Sequence, residues 1–188
     1  MGSESFVVGS YDFYIGYVID NGLMICLDLG HFHPTESIAD KLSSILQYIP
    51  ELLIHVSRGV RWDSDHIPIY DDQLTSVCSE IVRCKATERV HLSLDYFDAS
   101  INRMGAWVIG ARATQKALLF ALLEPFERLK EYEESGDYFQ RLAVLEELKG
   151  MPYGAIWDYY CLKMGVSIGD SWIKEIQEYE REILSKRI

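Results

Sequence analysis

Three short apolar runs, each ending at or beside an ionisable residue and each followed by a stretch of helical periodicity, constrain this 188-residue chain more than any other feature. The runs are Leu23-Met24-Ile25-Cys26-Leu27-Asp28, Leu52-Leu53-Ile54-His55-Val56, and Val90, Leu92 and Leu94 alternating up to Asp95. The first has the continuous apolar character of a parallel strand buried on both faces. Between the runs, Ile38, Leu42, Ile45, Leu46 and Ile49 recur at helical spacing. They predict an amphipathic helix over 36–49, capped by Thr35 and stopped by Pro50. Leu74, Val77, Cys78, Ile81 and Val82 predict a second helix, begun by the acidic pair Asp71-Asp72. The nearly all-apolar or small segment 101–123 predicts a third, long and well buried, ended by Pro125. Tyr11 to Asp20, closed by Asn21-Gly22, reads as a short helix ahead of the first strand. Successive strand-helix units with short connections make right-handed crossovers, so the fold class is α/β with a parallel sheet.

Charge rises sharply after Leu123, and 126–134, 137–149, 152–164 and 171–186 read as four further helices broken at glycines. The composition is that of a globular chain, 48% hydrophobic and 25% charged. A net charge of −11 argues against nucleic acid or an anionic membrane surface as partner, because both reward the opposite sign. Cys26, Cys78, Cys84 and Cys161 form no C-x-x-C pair and read as free, buried thiols of a reducing compartment. No apolar run is long enough to span a membrane, and Met1 to Phe6 lacks a signal peptide's basic start and apolar region, so the expected location is cytoplasmic.

In parallel sheets of this kind the chemistry gathers at the carboxyl ends of the strands. Asp28, His55 and Asp95 fall there, His31 lies in the loop after the first strand, and Asp63 and Asp65 lie in the loop after the second. Each has a plainer reading. His55 suits a satisfied core histidine, Asp28 and Asp95 suit helix caps, His31 suits the surface, and His33 suits orientation of Pro34 and the helix start. Taken together the plainer readings require three strands to end in unpaired ionisable groups on one rim, which burial penalises. Four carboxylates and two imidazoles match Mn²⁺ or Mg²⁺, with Co²⁺ a third option, and exclude a thiolate-rich zinc site. Six ligands exceed what one such ion takes from protein, so two ions sharing a carboxylate is the expected arrangement.

Longer strings carry a resemblance. Gly30-His31-Phe32-His33-Pro34-Thr35-Glu36, His55-Val56-Ser57-Arg58 with Arg61-Trp62-Asp63-Ser64-Asp65-His66, and Asp95-Tyr96-Phe97-Asp98-Ala99-Ser100-Ile101-Asn102-Arg103 resemble L-rhamnose isomerases. The likeness continues through Ala106-Trp107-Val108-Ile109-Gly110, Ala121-Leu122-Leu123-Glu124-Pro125 and Tyr179-Glu180-Arg181-Glu182-Ile183-Leu184-Ser185. It implies a (β/α)8 TIM barrel with two divalent ions, usually manganese, in a cytoplasmic homotetramer that interconverts L-rhamnose and L-rhamnulose. It further implies that Asp28 bridges the ions, that His55 and Asp95 serve the more structural one, and that His31, Asp63 and Asp65 serve the catalytic one.

A complete barrel of this kind has eight strands, and the resemblance implies that these three strand-helix units belong to its carboxyl-terminal part. The family's metal-ligating Glu, and a Lys two residues beyond it, precede the segment matched by Ser3-Glu4-Ser5-Phe6. The expectation is therefore a partial barrel over 1–124, a helical extension over 125–188, and a partner supplying the missing amino-terminal half, without which the chain is inactive.

The implied chemistry is a hydride shift on an open-chain sugar. Asp65 or Asp63 orients the water that carries the hydroxyl proton, and Trp62 and Phe97 form an apolar wall or plain core. His33 and Asp98 are the bases an enediol route would use. Rival readings are a metal-dependent hydrolase or epimerase on the same barrel rim, and a non-catalytic metal-binding or assembly fragment.

Overall fold

The structure is a computed structural model that describes residues 10–33, 35–60 and 65–187. The chain divides into two compact units, Met1–Leu118 and Leu119–Ile188. The first is built in the order α1 (Tyr11–Asn21), β1 (Ile25–Asp28), α2 (Ala39–Ile45), β2 (Leu52–Val56), α3 (Asp72–Arg83) and β3 (Val90–Leu94), with α4 (Arg103–Leu122) running on past its end. The second holds α5 (Phe126–Glu134), α6 (Tyr138–Leu148), α7 (Tyr153–Met164) and α8 (Ser171–Glu182), with a short 3-10 turn at Leu184–Lys186.

The strands form one parallel sheet in the order β1-β2-β3. Cα register pairs Ile25 with Leu52 and Leu52 with Val90, and likewise Asp28 with His55 and His55 with Ser93. Because strand order follows chain order, right-handed crossovers put α2 and α3 on one face of the sheet. Alternation then separates two sets of side chains. Ile25, Leu27, Leu52, Ile54, Val56 and Val90 are buried with Leu42 and Ile45 of α2 and Leu74, Val77, Cys78 and Ile81 of α3. The opposite face carries Cys26, Leu53, His55, His91 and Ser93, all exposed or half-buried.

That open face corrects two expectations. The first strand is buried on one face only, and it starts at Ile25 rather than Leu23. Cys26, read as a buried thiol, is exposed because it points away from α2 and α3, whereas Cys78 and Cys161 are buried and Cys84 is half-buried.

Local chemistry explains the element ends. Gly22, at φ 61°, closes α1: its N–H and that of Leu23 reach back to the carbonyls of Ile19 and Val18, a left-handed cap that glycine adopts without strain. Asp71 caps α3, accepting from the Leu74 N–H at 3.0 Å.

The helix expected over 36–49 is shorter. Thr35 does not cap it, because its hydroxyl pairs with His33 Nδ1 at 2.6 Å in a turn where the Glu36 N–H meets the His33 carbonyl. Past Ile45 the chain continues in single turns, yet Ile38, Leu42, Ile45, Leu46 and Ile49 are all buried as their spacing predicted. The guanidinium of Arg89 completes that end by donating to the carbonyls of Leu46, Ile49 and Pro50 at 2.7–3.1 Å.

The helix expected to be well buried over 101–123 is buried only along a stripe of small residues, Ala106, Ala113, Thr114, Ala117 and Ala121, while Trp107 is 48% exposed. In the second unit the four helices sit within a residue or two of their expected bounds, except that α8 ends at Glu182 and none of its residues is buried.

Candidate metal centre

The site grows from the carboxyl ends of the three strands. Asp28 is the last residue of β1, and its two oxygens are used differently. Oδ1 accepts from the Gly30 N–H at 2.9 Å and from the Ser57 hydroxyl at 3.0 Å. Oδ2 faces the histidines, 3.1 Å from His55 Nδ1 and 3.7 Å from His31 Nε2. His55 comes from β2 in register with Asp28, so strand pairing alone puts the two side by side. On its other side His55 Nδ1 lies 3.0 Å from Oδ2 of Asp95, the residue just after β3. His31 sits in the turn after β1, its N–H 3.3 Å from the Asp28 carbonyl, and its Nε2 is 3.2 Å from Asp65 Oδ2.

Two donor triads result, Asp28-His55-Asp95 and Asp28-His31-Asp65, each with its ligand atoms within 4.8 Å of one another. Asp28 belongs to both. The structure thus brings together five of the six residues singled out in the sequence. The sixth, Asp63, lies outside the described residues, as does Trp62.

The donor set suits a hard divalent ion. Oxygen and imidazole donors without thiolate are what Mg²⁺ and Mn²⁺ accept. Three of the donor pairs, 3.0–3.2 Å apart, match the edge of an octahedron whose bonds are about 2.1–2.2 Å, and the fourth, Asp28 with His31, is wider at 3.7 Å. Asp65 adds a further sign, since its Oδ1 is buried yet has no hydrogen-bond partner, a costly state for a carboxylate oxygen unless a cation answers it.

Around the triads, Phe97 is 64% exposed, with the Arg103 guanidinium 5.8 Å from its ring centroid and the Asp65 carbonyl accepting from its N–H at 3.2 Å. Asp98 accepts from both the N–H and the hydroxyl of Ser100, which holds its carboxyl below the usual range.

Sequence reasoning missed Ser57 and Gly30 as supports of Asp28. The signal for Ser57 was its place two positions after His55, which strand alternation puts on the same face. Gly30 carried no comparable signal, because it acts through its backbone.

The comparisons with known proteins point one way. A family model described as L-rhamnose isomerase (RhaA) matches residues 1–187. Among curated relatives, the L-rhamnose isomerase of Bacteroides thetaiotaomicron is 61% identical over 187 residues, and those of Rhodopirellula baltica and Pectobacterium carotovorum subsp. carotovorum are each 54% identical over the same length. All of this chain is covered in each case, but only 45%, 44% and 44% of those relatives, so the chain spans somewhat under half their length. On this match the chain belongs to the L-rhamnose isomerase family.

Proposed function

We propose that this chain supplies one side of the metal and substrate site of an enzyme that interconverts L-rhamnose and L-rhamnulose, as the carboxyl-terminal part of a (β/α)8 barrel with residues 125–188 as a helical extension. The observation that carries the reading is the pair of triads meeting at Asp28, in a chain of this family. In one triad His55 and Asp95 would hold the more structural ion. In the other His31 and Asp65, with Asp63, would hold the catalytic one, and Asp28 would serve both. The ions, Mn²⁺ or else Mg²⁺ or Co²⁺, would act as Lewis acids on the sugar's carbonyl and neighbouring hydroxyl oxygens.

The chain's own residues do the rest. From aldose to ketose the hydrogen on C2 passes with its electron pair to C1, while the proton on O2 moves to O1. Asp65 or Asp63 would orient the water that takes and returns that hydroxyl proton. Phe97, with Arg103 over its ring, would offer an apolar wall to the site. The competing enediol route needs a base to remove the C2 hydrogen. Asp98 is a poor one at neutral pH, because its pair of bonds to Ser100 stabilises the charged form. His33 Nδ1 is engaged by Thr35 at 2.6 Å. Both facts favour the hydride shift.

The open sheet face supports a second statement: catalysis needs the remaining barrel strands, and the isolated chain is inactive. The decisive experiment co-expresses the chain with the amino-terminal half of a relative and supplies L-rhamnose deuterated at C2 in ordinary water. Deuterium recovered at C1 of L-rhamnulose supports the shift, whereas its wholesale loss to solvent overturns it. Turnover by the chain alone contradicts the dependence on a partner and favours a self-sufficient site. If metal binds but the reconstituted protein never turns over, the reading as a metal-binding or assembly fragment stands instead.

A further inference from the structure

Ser57 is the first residue after β2, two positions beyond His55 and therefore on the same face of the sheet. It is 4% exposed, one of three buried polar or charged residues among those described. A hydroxyl removed from water needs a partner, and its partner is Oδ1 of Asp28 on the neighbouring strand, 3.0 Å away. The Gly30 N–H closes on the same oxygen at 2.9 Å. Two donors thus converge on Oδ1 from different segments, one from the end of β2 and one from the turn after β1. With Oδ1 so held, the side chain can neither change its χ1 rotamer nor turn its carboxylate without breaking both bonds. Oδ2 is left as the oxygen turned toward His55 and His31.

We propose that Ser57 is a positioning residue for Asp28: its buried hydroxyl, with the Gly30 N–H, locks one carboxylate oxygen so that only the other is presented to both donor triads. This rests on the metal-site reading above but does not repeat it, since it concerns how the carboxylate is oriented before any ion arrives. An unlocked Asp28 has to lose side-chain freedom on binding an ion, a cost the wild-type chain has already met in folding. Ser57 touches neither ion nor sugar.

The test compares the full chain with Ser57→Ala and Ser57→Cys. Alanine removes the hydroxyl and some volume; cysteine nearly keeps the volume but is a weak donor, which separates the hydrogen bond from packing. The first readout needs no metal. Scalar couplings report the χ1 rotamer of Asp28, expected to be single in the wild type and averaged in both variants. The second is calorimetric titration with Mn²⁺, expected to show affinity about tenfold or more weaker in both variants, the usual cost of removing a group that orients a ligand. Thermal melting verifies that both variants are folded.

A single Asp28 rotamer in both variants overturns the proposal, as does a cysteine variant with wild-type affinity, because packing would then suffice. If the wild type itself takes up no Mn²⁺, the metal reading fails. The rotamer comparison still decides for or against Ser57.

Discussion

Asp28 is the residue on which most depends, because one carboxylate serves two histidines and belongs to both triads. Removing it disables both. Calorimetric titration with Mn²⁺ should therefore rank Asp28→Ala as the most damaging single change, with an affinity loss of at least about a hundredfold, since groups that merely orient ligands already cost up to that much. Equal losses on replacing His31, His55, Asp65 and Asp95 would contradict the shared-carboxylate arrangement.

Cys78 gives a prediction of another kind. It is fully buried on α3, and burial pushes its thiol from 9.0 up to about 12. In the unfolded chain the thiol ionises near 9.0 while in the folded chain it stays protonated, so the folded state binds the extra proton between these values. Its contribution to stability is complete below pH 9 and declines as pH rises toward 12. Denaturant melts of the wild type and Cys78→Val across that range should diverge, the wild type losing stability more steeply; parallel curves would sink the assignment.

At the scale of elements, the seat of Tyr96 on α4 is the sharpest constraint. Its hydroxyl donates to the carbonyls of Ala106 and Trp107, at 3.0 and 3.3 Å. It does so only because residue 110 is glycine: a Cβ there would overlap the hydroxyl and lie 2.6 and 2.8 Å from two ring carbons. Gly110→Ala should thus destabilise by about 1–3 kcal/mol through overpacking, exceeding the roughly 1 kcal/mol that alanine otherwise contributes inside a helix. Combined with Tyr96→Ala, the same change should become stabilising, a reversal of sign that a double-mutant cycle in urea measures directly. Additive losses would show that the two residues do not meet.

None of this seat was legible in the sequence, where Gly110 reads as one more small residue of an apolar helix. Periodicity did locate α3, whose face from Leu74 to Ile81 is buried, and the charged ends of the strands marked the rim where five donors converge. It failed at α2, where the His33–Thr35 side-chain pair competes with a helix start, and at α4. An apolar composition there predicted burial all round, but only the small-residue stripe has it.

For the molecule as a whole, the open face of the sheet sets the behaviour. Cys26 and the half-buried Leu53 lie on it, Met24 and Leu94 are exposed at the ends of the strands, and the second unit adds exposed apolar groups of its own, Phe139 at 81% among them. Exposed apolar surface of this extent is rarely left to water. The isolated chain should sediment well above its 21.6 kDa monomer mass or aggregate, and should bind a hydrophobic dye. A monodisperse monomer with one cooperative melt would count against this.

The arrangement of donors has a last consequence, for folding rather than chemistry. Asp28 and His55 stand 27 positions apart, and His31 and Asp65 stand 34 apart. An ion held by such pairs would be a clasp across two long loops, with nothing to bind until the strands that carry its donors are aligned. Saturating Mn²⁺ at a hundred times its dissociation constant would add about 2.7 kcal/mol to the folded state and nothing to the unfolded one. In a growing cell, divalent ion supply would then set how much of the chain persists against proteolysis.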